Sequence, residues 1–303
     1  MPYPSPVTYP SPSLFPGFTH GGRGRMVALN PDFILGDTDS FGVRWSLTVM
    51  EGYDGSPSPT LELMQRARGH GATESESYMT PRIMTLGGLI HGKDVADIEA
   101  AFDRLNAAVS LEPFTMLVLE SGRIRHLVVR RKGEVLPTWH SDKLAGYSVL
   151  LSAKDPRKFG DLVTATTRLP FSNGGLVRPS TWPRTWTGVS GTGMVTINNP
   201  GNTEAPVWLR VDGPMPAGGW SVTHLGKGRT LTFGSALALG VGEFLTVDMD
   251  RREVLAQGQS ARSGYVTSRG WFTLDPGDNV IAFSSVNYSE TASLTVTTKP
   301  SWS

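Results

Sequence analysis

One stretch of this chain, residues 93–109, reads KDVADIEAAFDRLNAAV and sets Val95, Ile98, Phe102, Leu105 and Val109 at helical spacing. That spacing puts one apolar stripe down one side of a helix. Asp94 fits the N-cap, and Asp97 favours the positive end of the helix dipole. The segments on either side alternate instead with period two. FGVRWSLTVM places Val43, Trp45, Leu47 and Val49 on one face, as in a half-buried strand. PRIMTLGGLIHG, YSVLLSA and FTMLVLESGRIRHLVVRRKGEVLP continue the pattern, the last with a turn at Glu120-Ser121-Gly122. A lone amphipathic helix among strands must lay its stripe on a sheet. The expectation is a mainly β chain whose first half is α+β, one helix packed on a β-sandwich or split barrel.

SAKDPRKFGD closes that half, with Asp155-Pro156 favouring a turn and a boundary near residues 169–172. Beyond it no helical period recurs. Short alternating runs (GMVTINN, APVWLRVDG, WSVTHL, EFLTVDMD, GWFTL, NVIAF, ASLTVTT) are separated by turn residues, as in an antiparallel β-sandwich. The expected organisation is an arm over 1–27, a first domain over 28–170 with its helix at about 93–109, and a sandwich over 171–303. With 35 glycines and 22 prolines, the composition agrees with short strands and many turns.

Charge and chemistry exclude more than they assign. The 28 basic and 27 acidic side chains nearly cancel, leaving no global footprint for nucleic acid. No cysteine is present, so disulfides, thiolate metal sites and thiol nucleophiles are ruled out. No apolar run approaches the length of a membrane helix, and the start has neither the basic nor the apolar region of a signal peptide. The six histidines form no metal-ligand spacing, and His126, within RIRHLVV, reads as a solvent-facing or core-edge residue. No G-x-S-x-G elbow occurs, and the glycines of GKGRT and Gly240-Val-Gly242 lack the strand and helix a phosphate loop needs. Asp248 and Asp250 share a strand face beside Arg251 and Arg252, and read as solvated rather than catalytic. No catalytic, metal or cofactor site emerges.

Three features invite a binding role. Residues 66–80, RARGHGATESESYMT, are a long polar connection without apolar period, and such loops are commonly functional or disordered. Arg66, Arg68, His70, Glu74, Glu76 and Tyr78 are its candidate contacts. Among the eight tryptophans, Trp208 and Trp271 lie in patterned strands and read as core, while Trp182, Trp186 and Trp220 are candidates for glycan stacking or an interface. The proline-rich start, MPYPSPVTYPSPSLFPGFTHGGRGRM, favours extended backbone. It reads as a disordered tail, as an arm anchored by Tyr3, Tyr9, Leu14 and Phe15 on a neighbouring subunit, or as sequence ahead of a true start at Met26.

GWFTLDPGDNVIAF raises the question of acid/base chemistry, because Asp275 and Asp278 flank Pro276-Gly277. Proline with fixed φ followed by glycine fits a type II turn. The expectation is a hairpin, its arms carrying Phe272, Leu274, Ile281 and Phe283, with the carboxylates as turn shoulders.

In order along the chain, NPDFIL, RGHG, PRIMTLGGLIHG with its helix, SAKDPRKFG, TINNPGNTEAPVWLRVDG, VDMDRREVLAQG, GWFTLDPGDNVIAF and ASLTVTTKPSW resemble the distal tail proteins of siphophages. The resemblance runs from about Asn30 to Trp302; Ala153-Lys154-Asp155-Pro156-Arg157 stands where the family has APDPR. It implies a tail-tube-like first domain and a galectin-like or carbohydrate-module-like sandwich. It further implies a homohexameric ring at the virion tail tip, assembled in the host cytoplasm. Implied partners are the tail tube protein, the tail-tip hub, tape measure and receptor-binding proteins, with DNA only in transit. Glu74 and Glu76 would suit a weakly repelling lumen. The competing readings are a carbohydrate-binding adhesin contacting host wall glycan and, with no catalytic constellation behind it, a wall hydrolase.

Overall fold

The computed structural model describes residues 24–30, 32–66, 68–75, 77–173 and 189–303. The candidate anchors Tyr3, Tyr9, Leu14 and Phe15, the tryptophans Trp182 and Trp186, Glu76, and the side chain of Glu74 lie outside them. The described chain forms two compact units that divide between Gly160 and Asp161. No described helix is long and apolar enough to cross a membrane.

In the first unit the elements run β1 (Met26–Leu29), β2 (Phe33–Leu35), β3 (Arg44–Glu51), β4 (Pro59–Thr60), β5 (Leu63–Gln65), β6 (Ala72–Glu74), β7 (Tyr78–Met79) and β8 (Arg82–His91), then α1 (Val95–Ala108). β9 (Phe114–Glu120), β10 (Arg123–Ser141), β11 (Leu144–Ala153) and β12 (Lys158–Phe159) follow. An antiparallel sheet runs β2-β1-β9-β10-β11-β8-β3, with β12 beside β10. Its two edges meet at one end, where Gly36 N–H donates to the Trp45 carbonyl (3.1 Å) and Trp45 N–H to the Asp37 carbonyl (2.8 Å). Below that junction β2 and β3 are not paired, so the sheet is a split barrel.

The alternation in β3 holds only halfway. Val43 and Trp45 are buried, but Leu47 is half-buried and Val49 is exposed. A bulge between Leu47 and Val49 inserts one residue, and Met50 takes the inward side instead. Gly88 lies opposite this irregularity, and a Cβ there would collide with the Ser46 carbonyl oxygen. Tyr147 donates its hydroxyl to that same oxygen at 3.1 Å.

The helix forms where its spacing predicts, capped by Asp94, whose side chain accepts from Asp97 N–H at 2.9 Å. Ile98, Ala101, Leu105 and Ala108 are buried, while Val95 is exposed and Phe102 sits at the margin near Trp139. The stripe is rotated slightly from the expected one, because Ala101 permits close approach. One carboxylate joins helix and barrel mouth: Asp39 accepts from Phe41 and Val43 N–H, from the Trp45 indole and from Arg104. His126 is buried, with its ring 5.7 Å from Phe159.

The second unit holds β13 (Val163–Arg168), β14 (Phe171–Asn173), β15 (Val189–Gly191), β16 (Met194–Asn199), β17 (Val207–Asp212), β18 (Trp220–His224) and β19 (Arg229–Phe233). β20 (Phe244–Asp248), β21 (Glu253–Ala256), β22 (Ser260–Ala261), β23 (Val266–Arg269), β24 (Gly277–Ser285) and β25 (Ser293–Thr298) follow. One sheet runs β13-β25-β17-β20-β21-β22 and the other β16-β24-β18-β19-β23. Their inward residues, among them Leu209, Val211, Val222, Leu231, Phe283 and Val296, share one core, which makes the unit an antiparallel β-sandwich. Residues 163–168 group with it because β13 pairs along the length of β25.

Trp208 does not join that core. In β17 the buried positions are Val207, Leu209 and Val211, which turns Trp208 to the outer face with its indole donating to Asp248 at 3.1 Å. Trp271 is partly buried against the core. Asp248 is a turn lock, accepting from Asp250 and Arg251 N–H at 3.0 Å each.

The expected hairpin at Asp275–Asp278 is also corrected. Phe272, Leu274, Ile281 and Phe283 are all buried, but Leu274 bridges to Ala205, and β24 pairs with β16 and β18. The chain enters β24 through Gly277 at φ +93°, a conformation that favours glycine. Asn279 closes this entry. Its Nδ2 donates to the carbonyls of Asp275 (2.8 Å) and Gly277 (2.9 Å), and its Oδ1 accepts from Asp275 N–H (3.0 Å). His224 Nε2 lies 2.9 Å from the same Oδ1, while His224 Nδ1 accepts from Lys227 N–H. That pattern assigns the proton to Nε2. Asp275 pairs with Lys227 at 2.8 Å, and Asp278 accepts from Asn198 at 2.6 Å.

Candidate functional site

The polar connection expected over 66–80 is the tip and return limb of a β-ribbon. β4 and β5 lead out, β6 and β7 lead back, with Leu63 opposite Glu74, Gln65 opposite Ala72, and Thr60 opposite Tyr78. The tip turns between Arg66 and Gly71, whose carbonyl accepts from Arg66 N–H at 3.3 Å. At the base, Thr80 donates twice to the Ser58 carbonyl, from its N–H and from its hydroxyl. Arg66, Arg68 and His70 are therefore brought together at an exposed tip, and Tyr78 lies on the return limb.

The ribbon's chemistry differs from the sequence expectation. Leu61, Leu63, Met64, Tyr78 and Met79 are exposed, with Met64 at 74% and Tyr78 at 67%. The outgoing residues Leu61, Leu63 and Met64 escaped the sequence reading because they precede the polar run. The signal for them was TLELMQ, where apolar residues stand on both faces of one strand. A two-stranded ribbon is marginal by itself, and clustered exposed apolar side chains mark an interaction surface.

The ribbon's root is rigid by contrast. Arg82, the first residue of β8 and only 1% exposed, donates to the carbonyls of Gly52, Tyr53, Gly55 and Pro156 at 2.6–2.9 Å. This fastens the segment that leads into the ribbon to the turn in SAKDPRKFG. That turn is self-locked, because Asp155 accepts from Arg157 N–H and from its guanidinium. Next to it Lys158 is buried and donates to the Tyr53 carbonyl at 3.0 Å. Burial, then the charges of Arg82 and Arg125, lower the Lys158 pKa to about 8. Burial raises the Tyr53 phenol to about 12. Arg25 bridges Asp54 and Glu120 beside them.

The candidate Trp220 is not an exposed platform. It is 2% exposed, stacked on Phe233 with ring centroids 3.9 Å apart and edge-on to Phe283. No group of three metal-ligating side chains is found among the described residues.

Comparison with known proteins finds a match within the second unit. Residues 200–302 match the model of the siphovirus-type tail component, C-terminal domain. The crystal structure of SPP1 Dit, titled a paradigm of the hub adsorption apparatus in Gram-positive-infecting phages, superposes with a TM-score of 0.64 at 13% identity. That match covers 90% of this chain and 98% of SPP1 Dit. A chain of the phage p2 baseplate in its activated conformation matches at a TM-score of 0.47 and 12% identity, over 91% of this chain and 98% of the other. No curated protein matches. Residues 200–302 are thus similar to the C-terminal domain of the siphovirus-type tail components, on a chain that shares the fold of SPP1 Dit across nearly its whole length.

Proposed function

We propose that the chain is a structural component of a siphophage tail tip: a closed ring of six copies that joins the tail tube to the tail-tip hub and lets DNA pass. The observation that carries this reading is the exposed apolar ribbon on a rigid root, in a chain with the fold of a phage hub protein. Four large apolar side chains in water, Leu61, Leu63, Met64 and Met79, call for a partner. A neighbouring copy is the partner always available, and heterologous contacts that close by rotation use up every such surface. The ribbon would then lie against the next subunit, with Arg66, Arg68 and His70 at its tip. The tube and hub proteins would dock on the ring's two faces. Native mass spectrometry tests the reading directly: six copies are expected, and a stable monomer at micromolar concentration overturns it.

A further inference from the structure

At the ribbon's root the buried charges do not balance. Arg82 and Lys158 are 1% and 3% exposed, and both donate to main-chain carbonyls alone. Among the described residues no carboxylate bonds to either. Asp54 and Glu120, the carboxylates whose fields reach Lys158, are both held by Arg25, and Arg125 adds a further positive charge to the same surroundings. Burial keeps the Tyr53 phenol neutral, with its pKa raised to about 12, so it supplies no counter-charge.

Donors are also left over. Arg82 Nη2 is buried with no acceptor. The Lys158 ammonium carries three hydrogens, and the Tyr53 carbonyl takes one of them. The Tyr53 ring, 5.0 Å from Lys158 Nζ, offers its face to the same charge without accepting a full hydrogen bond. Because Arg82 and Lys158 reach the same carbonyl, the two donating nitrogens lie within about 6 Å of each other. A buried charge left unpaired costs far more than an unmet neutral hydrogen bond. A water at Nη2 would supply a lone pair and leave the positive charge unopposed.

We infer that a small monovalent anion, chloride, binds between Arg82 Nη2 and Lys158 Nζ. One atom with one negative charge meets both needs: it accepts from the orphaned Nη2 and from the ammonium, and it opposes the charge that the carbonyls offset only in part. Polyatomic and divalent anions are disfavoured, because the side chains here are closed to solvent and a double charge costs more to strip of water. A route in lies close by. Arg25 packs over the Tyr53 ring and, with Asp54, lines an open cleft of about 400 Å³. Arg44 lines the same cleft and adds positive potential that draws anions toward it. The inference concerns the first unit alone and does not rest on the ring reading.

The test is denaturant unfolding of the full chain with chloride replacing gluconate at constant ionic strength. The folding equilibrium constant should stay level at low chloride and then rise in proportion to it, reaching about tenfold at roughly ten times the dissociation constant. Near pH 8, chloride added to weakly buffered folded protein should take up protons to saturation, because the anion favours the charged form of Lys158. Lys158→Met should abolish both responses, and sulfate should produce neither. Crystals of the wild-type chain soaked in bromide make the test independent of the variant, with one anomalous peak expected between the two nitrogens. Equal stability in chloride and gluconate, which is the outcome if a water fills the place, overturns the inference. So does either response surviving in Lys158→Met, sulfate acting as chloride does, or the absence of the bromide peak.

Discussion

Arg82 and Lys158 converge on one acceptor, the Tyr53 carbonyl, at 2.9 and 3.0 Å. Two buried cations sharing an oxygen repel one another, and the carbonyls of Gly52, Gly55 and Pro156 offset this for the guanidinium alone. The guanidinium is therefore the structural member of the pair and the ammonium the strained one. The two predict losses of very different size on removal.

Arg82→Met should destabilise the first unit by roughly 3–5 kcal/mol, because buried carbonyls lose a charged donor together. Arg82→Lys should recover little, since a point charge cannot span the same acceptors as a planar fork. Denaturant unfolding with a fixed m-value checks both; a loss below about 1 kcal/mol in Arg82→Met would show that the root does not depend on it.

Lys158 predicts an unusual pH dependence. Its folded pKa of about 8 lies below the ordinary 10.5, so between those values the unfolded chain holds a proton the folded one has released. Stability then rises with pH through that window. Tyr53 acts in reverse: its folded pKa of about 12 exceeds the ordinary 10.0, and stability falls as pH climbs between them. The unfolding midpoint should climb from pH 8 to about 10 and then fall, by about 1 kcal/mol or more on the rising limb. Lys158→Met should flatten that limb while costing at most about 1 kcal/mol near neutrality, because Arg82 still serves the Tyr53 carbonyl. A rising limb that survives in Lys158→Met would assign it to another group.

What the sequence made legible was periodicity. The helix with its Asp94 cap and the burial of Phe272, Leu274, Ile281 and Phe283 follow from spacing. What stayed hidden depends on pairing across long separations. The bulge that turns Val49 outward is set by β8, some forty residues on, and Leu274 finds Ala205 rather than its neighbour in β24. Nothing in the local pattern distinguishes a Pro-Gly turn inside a hairpin from one that carries the chain between two other partners. Trp208 was misread for a related reason: hydrophobicity favoured the core, but the register of β17 placed its valines and leucine there first.

The entry to β24 ranks three substitutions. Asn279→Ala removes a buried side chain that serves Asp275, Gly277 and His224, and should cost roughly 3 kcal/mol. Gly277→Ala meets open space around its Cβ, leaving only the positive φ, about 1–2 kcal/mol. Asp278→Asn keeps an acceptor for Asn198 at an exposed site and should fall within about 0.5 kcal/mol of wild type. Thermal unfolding of the three variants checks the order. A large loss in Asp278→Asn would restore the carboxylate to a role that its geometry does not give it.

The ribbon separates assembly from folding. Leu63 and Met64 are exposed, and their strand pairs only with β6, so Leu63→Ser with Met64→Ser should leave the unfolding midpoint of the isolated subunit within about 0.5 kcal/mol. If the ribbon lies against a neighbouring copy, the same double variant loses apolar contact at every interface of the ring. At about 1.5–3 kcal/mol for each buried large apolar side chain, the subunit affinity should fall by a factor of a hundred or more. Sedimentation velocity should then show a concentration-dependent loss of the assembled species, with the circular dichroism of the subunit unchanged. An assembly indifferent to this variant would remove the ribbon from the interface and leave its apolar face for a different tail protein.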